Sequence, residues 1–220
     1  MFKEHECRHA IGSQLYSGRA KTIIYGGDYM QREMIVVPYD SNWVNEFERI
    51  KKTLSVVFGD LALDIQHFGS TSIIGMNAKA IIDVMVIVQD ITQVDGLNNR
   101  MRELGYVARG ENGMTGRRYF QMFALDGVNH TQHIHCYEKE NPHVIDELMF
   151  RDYLRVDRIS FAQYQNIKKE AAEKYRFSPQ EYTDYKSECV ERIMEKAKAY
   201  YLGSKSTIVK TLCFEVKTIG

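Results

Sequence analysis

The chain has 220 residues, of which 44% are hydrophobic and 26% charged, and these values are ordinary for a globular protein. Its 29 basic residues equal its 29 acidic residues, so the formal net charge is zero. Binding to nucleic acid through overall charge needs a basic surplus, so no nucleic-acid partner is expected.

Cysteine usage and the distribution of apolar residues favour a cytoplasmic protein. The first ten residues lack the apolar core of a signal peptide. No apolar run approaches the roughly 18 residues of a membrane span, so no membrane association is expected. Four cysteines lie without paired spacing, and we interpret them as reduced thiols: Cys7, Cys136, Cys189 and Cys213.

The sequence divides into four parts by composition and periodicity. Residues 1–33 are polar and interrupted by glycine, which predicts an extension that is partly disordered or forms a small hairpin. Residues 34–140 carry a predicted α+β core, and residues 141–202 a predicted helical region. Residues 203–220 form a β-branched tail that could add a strand.

The first predicted helix lies between a short apolar strand at 34–38 and a second strand at 61–68. Asp40 or Ser41 is suited to cap its start, and Gly59 is suited to end it. Its apolar residues recur at three- and four-residue steps, as on one face of an amphipathic helix: Trp43, Phe47, Ile50, Leu54 and Phe58.

The remaining elements indicate the fold class. A strand as continuously apolar as 79–88 is expected to be covered on both faces. The order favours α+β, with a mixed β-sheet flanked by helices and a C-terminal helical region. After 79–88, the pattern predicts a helix at 92–104, strands at 106–107, 117–125 and 131–137, and helices at 143–156, 160–175 and 179–201.

A turn at Gly69, Ser70 and Thr71 follows the strand at 61–68 and is a candidate phosphate site. Glycine permits close approach of the backbone to a ligand, and successive N–H groups at the start of a helical turn attract phosphate. The alternative is an ordinary turn in which serine or threonine only caps the residues that follow.

Asp83 lies in the middle of the most apolar predicted strand. A buried carboxylate without a partner is costly, so Asp83 is expected to be paired, bound to metal or at the exposed end of the strand. Facing a phosphate turn, a single carboxylate can share Mg²⁺ with the phosphates of a ligand. Lys79 is expected on the same strand face, where it is a candidate both for pairing with Asp83 and for binding phosphate.

His133 and His135 share one face of a predicted strand, while Cys136 points to the other. Two such imidazoles are candidate ligands for zinc or another transition metal. The alternative is a histidine pair that is hydrogen-bonded within the fold. With Asp83, this pair would complete a set of three metal ligands.

Arginines at two places are candidates for phosphate contacts. Arg117 and Arg118 begin a predicted strand, and alternation lets at most one of them face the site, for which Arg118 is the candidate. The alternative for this pair is an exposed position. Arg151 and Arg155 share one face of a predicted helix, where such charges usually face solvent but could close over a nucleotide.

Six motifs occur in a defined order: VVPYDSNW at 36–43, HFGSTSIIGMNAKAIID at 67–83, GRRYF at 116–120, HIH at 133–135, FRDYLR at 150–155 and YTDYK at 182–186. Together they resemble the GrpB family, which is assigned to the nucleotidyltransferase (DNA polymerase β-like) superfamily. The resemblance covers about residues 35 to 200.

The resemblance implies a nucleotidyltransferase-like fold in which a Gly-Ser turn holds a nucleoside triphosphate and carboxylates on neighbouring strands hold two metal ions. Gly69, Ser70 and Asp83 match the turn and the first acid. Met85 stands where the superfamily usually has a second acid, and a thioether cannot replace a hard oxygen ligand of Mg²⁺. The HIH motif stands where a third acid would lie.

Three functional hypotheses follow. The first is a metal-dependent enzyme that transfers a nucleotidyl group from a nucleoside triphosphate to an unknown acceptor. The second is a catalytically silent module that binds a nucleotide or another phosphorylated small molecule, and the third is a transition-metal enzyme of phosphate chemistry.

The divalent metal would be Mg²⁺, or alternatively Zn²⁺ or Mn²⁺, and the sequence does not indicate an oligomeric state. The residues assigned are Asp83 and Ser70 for catalysis, Gly69, Ser70, Thr71, Lys79 and Arg118 for phosphate, and Asp83, His133 and His135 for metal.

Overall fold

The computed structural model describes residues 23–25, 28–30 and 32–203. Strands Ile23–Tyr25 (β1) and Asp28–Met30 (β2) pair antiparallel. This hairpin belongs to one compact unit, and the described residues from 32 onward belong to another. The predictions for the rest of the extension and for the tail lie outside the described residues.

The first helix of the larger unit, Asn42–Phe58 (α1), confirms the amphipathic pattern. The Asp40 carboxylate accepts the backbone N–H of Asn42 at 2.8 Å, so Asp40 supplies the capping oxygen. Gly59 ends the helix with a φ of +53°, a region that favours glycine. The buried residues of α1 are Trp43, Phe47, Ile50, Leu54, Val57 and Phe58.

Five strands form one mixed sheet in the order β3-β4-β7-β6-β5. Neighbouring strands run antiparallel except β4 and β7, which are parallel at the centre of the sheet. The strands are Ala62–Phe68 (β3), Ile82–Val88 (β4), Tyr106–Ala108 (β5), Arg117–Phe123 (β6) and His130–Glu138 (β7).

Alternation along the central strands gives the sheet two different faces. On one face, even-numbered residues of β4 and β7 pack against α1 in the main core, which includes Val84, Val86, Ile134 and Cys136. On the other face lie odd-numbered residues of the same strands, and we call this the site face. There Met85 and Tyr137 pack with Val144 of the first C-terminal helix.

Three helices complete the unit: Pro142–Val156 (α3), Arg158–Lys174 (α4) and Pro179–Gly203 (α5). Asn141 and Asp157 cap α3 and α4 by accepting backbone N–H groups. Ile73 and Met76, from the segment after the Gly-Ser turn, lie in the hydrophobic cluster of these helices. The turn is therefore held between the sheet and the helical region.

Three predicted elements differ from the structure. The residues predicted as a first strand make only one isolated bridge, between Val37 and Ala78. The helix predicted at 92–104 is a 3₁₀ segment, Ile91–Leu97, followed by a short helix, Asn98–Glu103 (α2), because Gly96 weakens the α-helical propensity of this stretch. Strand β4 begins at Ile82, so Lys79 precedes the strand.

The described helices include none that is both long and apolar enough to cross a membrane. In the same part of the chain, Cys136 and Cys189 are free and buried. The predicted α+β class, with a mixed sheet flanked by helices and a C-terminal helical region, is confirmed by the order and pairing of these elements.

Candidate functional site

Parallel pairing of β4 and β7 brings three predicted metal ligands together. In the register of the two strands, Asp83 lies opposite His133 and Met85 lies opposite His135. All four residues have odd numbers, so their side chains lie on the site face. Asp83, His133 and His135 each offer a ligand atom, and these atoms all lie within 4.8 Å of one another.

A chain of hydrogen bonds leads from Asp83 to a third histidine. The Nδ1 atom of His133 lies 3.1 Å from Oδ1 of Asp83, and its Nε2 atom lies 2.8 Å from Nδ1 of His130. Neutral rings with the proton on Nδ1 satisfy both contacts, since His130 then donates to His133 and His133 donates to Asp83. Burial lowers the pKa of His130 to about 3, and the charge of Arg32 acts in the same direction.

His135 has no such partner. Within the described residues, neither of its ring nitrogens makes a hydrogen bond, although both atoms are buried. The ring is enclosed by Phe68 and Tyr119, whose centroids lie 4.9 and 4.8 Å from it. Burial lowers the pKa of His135 to about 3, so the ring is neutral at physiological pH. A buried, unpaired, neutral imidazole is costly for the fold and is suited to bind a metal ion.

The Asp83 carboxylate is held ionised. Burial is the largest single effect and opposes its ionisation, but the hydrogen bond with His133 and the electrostatic effects of the two neighbouring imidazoles and Lys79 together outweigh burial, and the pKa of Asp83 is lowered. An ionised carboxylate oxygen beside two imidazole nitrogens is a donor set typical of zinc and related ions. The residues present therefore fit a transition-metal ion.

Met85 does not line an open position beside Asp83. Its side chain is fully buried and packs with Phe68, Tyr137 and Val144. An acid at this position would be buried in an apolar cluster beneath α3. The packing of α3 onto the sheet therefore accounts for methionine where the resemblance implies an acid.

Gly69 brings the turn against the Asp83 carboxylate. It has a φ of +68° and a ψ of −174°, a conformation that essentially only glycine adopts. A Cβ atom at this position would lie 2.5 Å from Oδ2 of Asp83. Ser70 follows in a 3₁₀ turn and lines a cleft together with Glu147 and Tyr164. The structure thus brings Gly69 and Ser70 to the predicted metal ligands.

Thr71 faces away from this cleft. It is buried, its hydroxyl donates to the backbone oxygen of Ile81, and His67 Nε2 lies 3.1 Å from the same hydroxyl. The phosphate contact expected of the Thr71 side chain is therefore not available, because both capacities of its hydroxyl are used to fix the turn to the start of β4.

Arg118 also lies apart from the predicted ligands. It pairs in register with Cys136 on the face covered by α1, and its guanidinium donates to both Asp95 oxygens at 2.6 and 2.8 Å. Arg117 takes the site face instead, with its guanidinium 4.8 Å from the ring of Tyr119. Alternation along β6 correctly predicts that only one of the two arginines lies on the site face. The pairing register of β6 with β7 places Arg117, and not Arg118, on that face.

Replacing Arg118 with alanine is expected to lower the free energy of unfolding by no more than about 1 kcal/mol, because Asp95 is half exposed and such pairs contribute little. Metal content and nucleotide binding should be unchanged. Urea denaturation and calorimetric titration test both statements. Loss of ligand binding in this variant would contradict the position assigned to Arg118.

Lys79 reaches the site from the segment before β4. Its ammonium group lies 4.8 Å from the ring centroid of Tyr182 and 3.7 Å from the sulfur of Met34. Burial lowers its pKa to about 7, with the charges of Arg32 and Lys186 adding to that effect and Asp83 opposing it. Lys79 is therefore near enough to influence Asp83 but is not paired with it in a salt bridge.

Sequence reasoning missed the contribution of the C-terminal helices to this cleft. Glu147 of α3 lines it, and burial followed by the charge of Asp83 raises its pKa to about 7. Tyr164 of α4 lies against the Ser70 hydroxyl.

Lys168 and Lys186 complete a cationic group with Lys79. The YTDYK motif is the one sequence signal that includes any of these residues, because it ends at Lys186.

Arg151 does not lie on a solvated surface, whereas the side chain of Arg155 is partly exposed. Arg151 is buried and donates to the side chain of Gln66 and the backbone oxygen of His67. Arg155 donates to the backbone oxygen of Ser72 at 2.9 Å. Both arginines therefore fasten α3 to the turn and to β3.

Comparison with known protein families identifies the family to which this chain belongs. The family model described as GrpB protein matches residues 33–196. The chain belongs to the GrpB family. All six sequence motifs of this GrpB protein lie within the matched range.

Individual relatives support the assignment. The glutamate-rich protein GrpB of Alkalihalophilus pseudofirmus is 34% identical over 166 residues, which cover 74% of this chain and 95% of that protein. The protein YqkA of Bacillus subtilis is 36% identical over 186 residues, which cover 84% of this chain and 53% of YqkA. This chain thus spans about half the length of YqkA.

Among solved structures, the GrpB protein of Enterococcus faecalis is 34% identical, with a TM-score of 0.71 over 76% of this chain and 99% of that chain. This likeness confirms the fold as that of a GrpB protein. The Cid1 poly(U) polymerase also matches, at 12% identity and a TM-score of 0.42 over 61% of this chain, which is too remote to indicate a reaction.

Proposed function

We propose that this GrpB protein is a metal-dependent nucleotidyltransferase-like enzyme that uses a single transition-type divalent ion, Zn²⁺ or Mn²⁺, held by Asp83, His133 and His135. The observation that carries the proposal is the convergence of these three ligand atoms within 4.8 Å of one another. Two nitrogen donors and one carboxylate favour such an ion over Mg²⁺, which prefers oxygen ligands. The unpaired buried nitrogens of His135 support the same assignment.

Each residue of the site would have a separate role in the reaction. The Gly69-Ser70 turn would position the phosphate that reacts, because it lies beside Asp83 and lines the cleft. When bound, the metal ion would supply positive charge that polarises a phosphoryl oxygen. Lys79 would offset the charge of the phosphates, and Glu147, whose pKa is raised to about 7, would accept the proton of the attacking hydroxyl.

The experiment is to measure metal content and turnover in the wild type and in variants of two ligands. Asp83→Asn removes the charge, and His135→Ala removes the unpaired imidazole. Both are expected to lower metal affinity by more than about a hundredfold. A panel of nucleoside triphosphates with Zn²⁺, Mn²⁺ and Mg²⁺ should be converted by the wild type and not by these two variants. Asp95→Asn is the matched control, because Asp95 is half exposed on the opposite face of the sheet.

A second candidate function is favoured by Met85. Its burial in an apolar cluster leaves Asp83 as the single acid on its strand, which suits a module that binds a nucleotide without converting it. Thermal stabilisation by nucleotides without product under every metal condition would support this second function and count against the first. Wild-type protein that retains no stoichiometric metal, with or without zinc supplied during expression, would refute the metal site itself.

A further inference from the structure

His130 lies on the site face of the sheet, although simple alternation along β7 assigns it to the other face. Even-numbered residues of β7, such as Ile134, lie on the face that is covered by α1. Regular alternation would therefore turn His130 toward the main core. Its ring instead lies 5.0 Å from the ring of His133, which is on the site face. A local break in the strand must account for this change of face.

The break is a β-bulge at the start of β7. Met122 of β6 pairs with Gln132 of β7. The next residue, Phe123, pairs with His130, so Thr131 is an extra residue in β7. The Thr131 hydroxyl donates to the backbone oxygen of Met122 at 3.4 Å, which ties the bulge to β6. One extra residue moves the side chain before it to the opposite face, and the bulge therefore turns His130 toward the site.

Two contacts hold the His130 ring on the site face. The ring meets that of Phe123 edge to face, with the centroids 4.7 Å apart. Its Nδ1 atom lies 2.8 Å from Nε2 of His133, which is the distance of a hydrogen bond between two ring nitrogens. His130 is not one of the three residues whose ligand atoms converge. It therefore contacts a proposed metal ligand without belonging to the ligand set.

Both ring nitrogens of His133 are engaged by neighbours. Nδ1 faces Oδ1 of Asp83 at 3.1 Å, and Nε2 faces His130. An ion shared by Asp83 and His133 would be bound through the two atoms that face each other, so Nδ1 is the ligand nitrogen of His133. A neutral imidazole has one proton, and a nitrogen bound to metal cannot carry it. The proton must then lie on Nε2, where it points at His130.

His130 can serve both proton arrangements of His133. When the His133 proton is on Nδ1, His130 donates its own Nδ1 proton to Nε2 of His133. When the His133 proton is on Nε2, Nδ1 of His130 accepts it, and His130 carries its own proton on its Nε2 atom. The proton displaced from Nδ1 of His133 leaves to solvent and Nε2 of His130 takes one up, so each ring keeps one proton. A side chain that only donates, such as that of lysine, would satisfy just one of the two arrangements.

We propose that His130 is a positioning residue of the metal site, which holds His133 through Nε2 and directs Nδ1 of that ring at the ion. The inference rests on the proposed function, because it assigns a role toward the same ion. A hydrogen bond to the second nitrogen of a ligand imidazole fixes its tautomer and orientation, and loss of such a partner lowers metal affinity by about ten- to a hundredfold. The bulge at Thr131 then has a function, since β-bulges beside a site re-aim a side chain.

The test compares two substitutions of nearly equal shape. His130→Asn keeps an amide that donates or accepts close to the position of Nδ1, whereas His130→Leu has the same branching without polar atoms. Zinc affinity of the whole protein is measured by competition with a chromophoric chelator. His130→Leu is expected to lower affinity by about tenfold or more, and His130→Asn to remain within about threefold of the wild type. His143→Leu is the matched control, because His143 is also half-buried and lies outside the ligand set.

Nitrogen-15 NMR of the wild type provides a second measurement that needs no substitution. The chemical shifts of the ring nitrogens distinguish a proton on Nδ1 from a proton on Nε2. Addition of zinc is expected to move the proton of His130 from Nδ1 to Nε2, although His130 does not bind the ion. A histidine that only supports the fold would keep its tautomer when zinc is added.

Three results would overturn the proposal: zinc affinity of His130→Leu equal to that of the wild type, an equal loss in both variants of His130, or an unchanged tautomer of His130. If His130→Leu does not fold, the tautomer measured in the wild type decides. Wild-type protein that binds no zinc would overturn the metal site and this role together. Zinc binding that is indifferent to His130 would overturn this role alone and leave the metal site standing.

Discussion

Replacing Gly69 with alanine is expected to lower the free energy of unfolding by about 2–4 kcal/mol and to abolish metal binding. The added Cβ atom would lie 2.5 Å from Oδ2 of Asp83, so the turn or the carboxylate must move. The φ of +68° with an extended ψ adds a backbone cost that any residue with a side chain incurs. Urea denaturation and metal content of the purified variant measure the two effects.

Gly127→Ala separates the effect of backbone strain from the effect of the collision with Asp83. Gly127 also has a φ of +68°, but a Cβ atom there would meet nothing within 4 Å. The control therefore carries backbone strain without a collision, and it should lose about 1 kcal/mol while keeping its metal. Equal loss of stability in the two variants, or full metal content in Gly69→Ala, would contradict the close approach of the turn to Asp83.

Arg151→Ala is expected to lower the free energy of unfolding by about 3–5 kcal/mol, because it breaks a buried charged network. The guanidinium donates to Gln66, to the backbone oxygen of His67 at 2.9 Å and to both oxygens of Asp152. Its removal leaves the His67 carbonyl and the Asp152 carboxylate without a buried donor. Urea denaturation of the variant gives the loss directly.

Arg155→Ala is the control variant for the stability loss expected of Arg151→Ala. Arg155 lies one turn later on α3, also contacts Asp152, and has a side-chain exposure of 41% against 8% for Arg151. A loss of about 1 kcal/mol is expected, since an exposed pair contributes little. If both variants lose the same stability, Arg151 does not fasten α3 to the sheet in the way that its hydrogen bonds indicate.

Elements whose period is regular were predictable from the sequence. The apolar face of α1 has the helical period, and all five residues chosen for it are buried. The apolar run of β4 indicated a central strand with an acid in it, and Asp83 does lie there. The shared face of His133 and His135 followed from alternation alone. These features depend only on neighbours in the sequence.

Features that depend on register or tertiary packing were not predictable. Alternation assigns Arg117 and Arg118 to opposite faces, but it cannot say which face is the site until β6 is paired with β7. Lys168 looks like an ordinary polar residue of a helix, and its burial follows from the packing of α4 beside the segment before β4. The helical spacing of Arg151 does not predict its burial, because its partners, Gln66 and His67, are more than 80 residues away in the sequence.

The parallel pairing of β4 and β7 has a consequence for folding. Asp83 and His133 are 50 residues apart in the sequence, and β5 and β6 are formed from the chain between them. Closing so long a loop is slow and precedes any gain from the contact, so the ligand set assembles only when the whole sheet has formed. A metal ion bound there would stabilise the native state selectively, because no partly folded segment contains both strands in register.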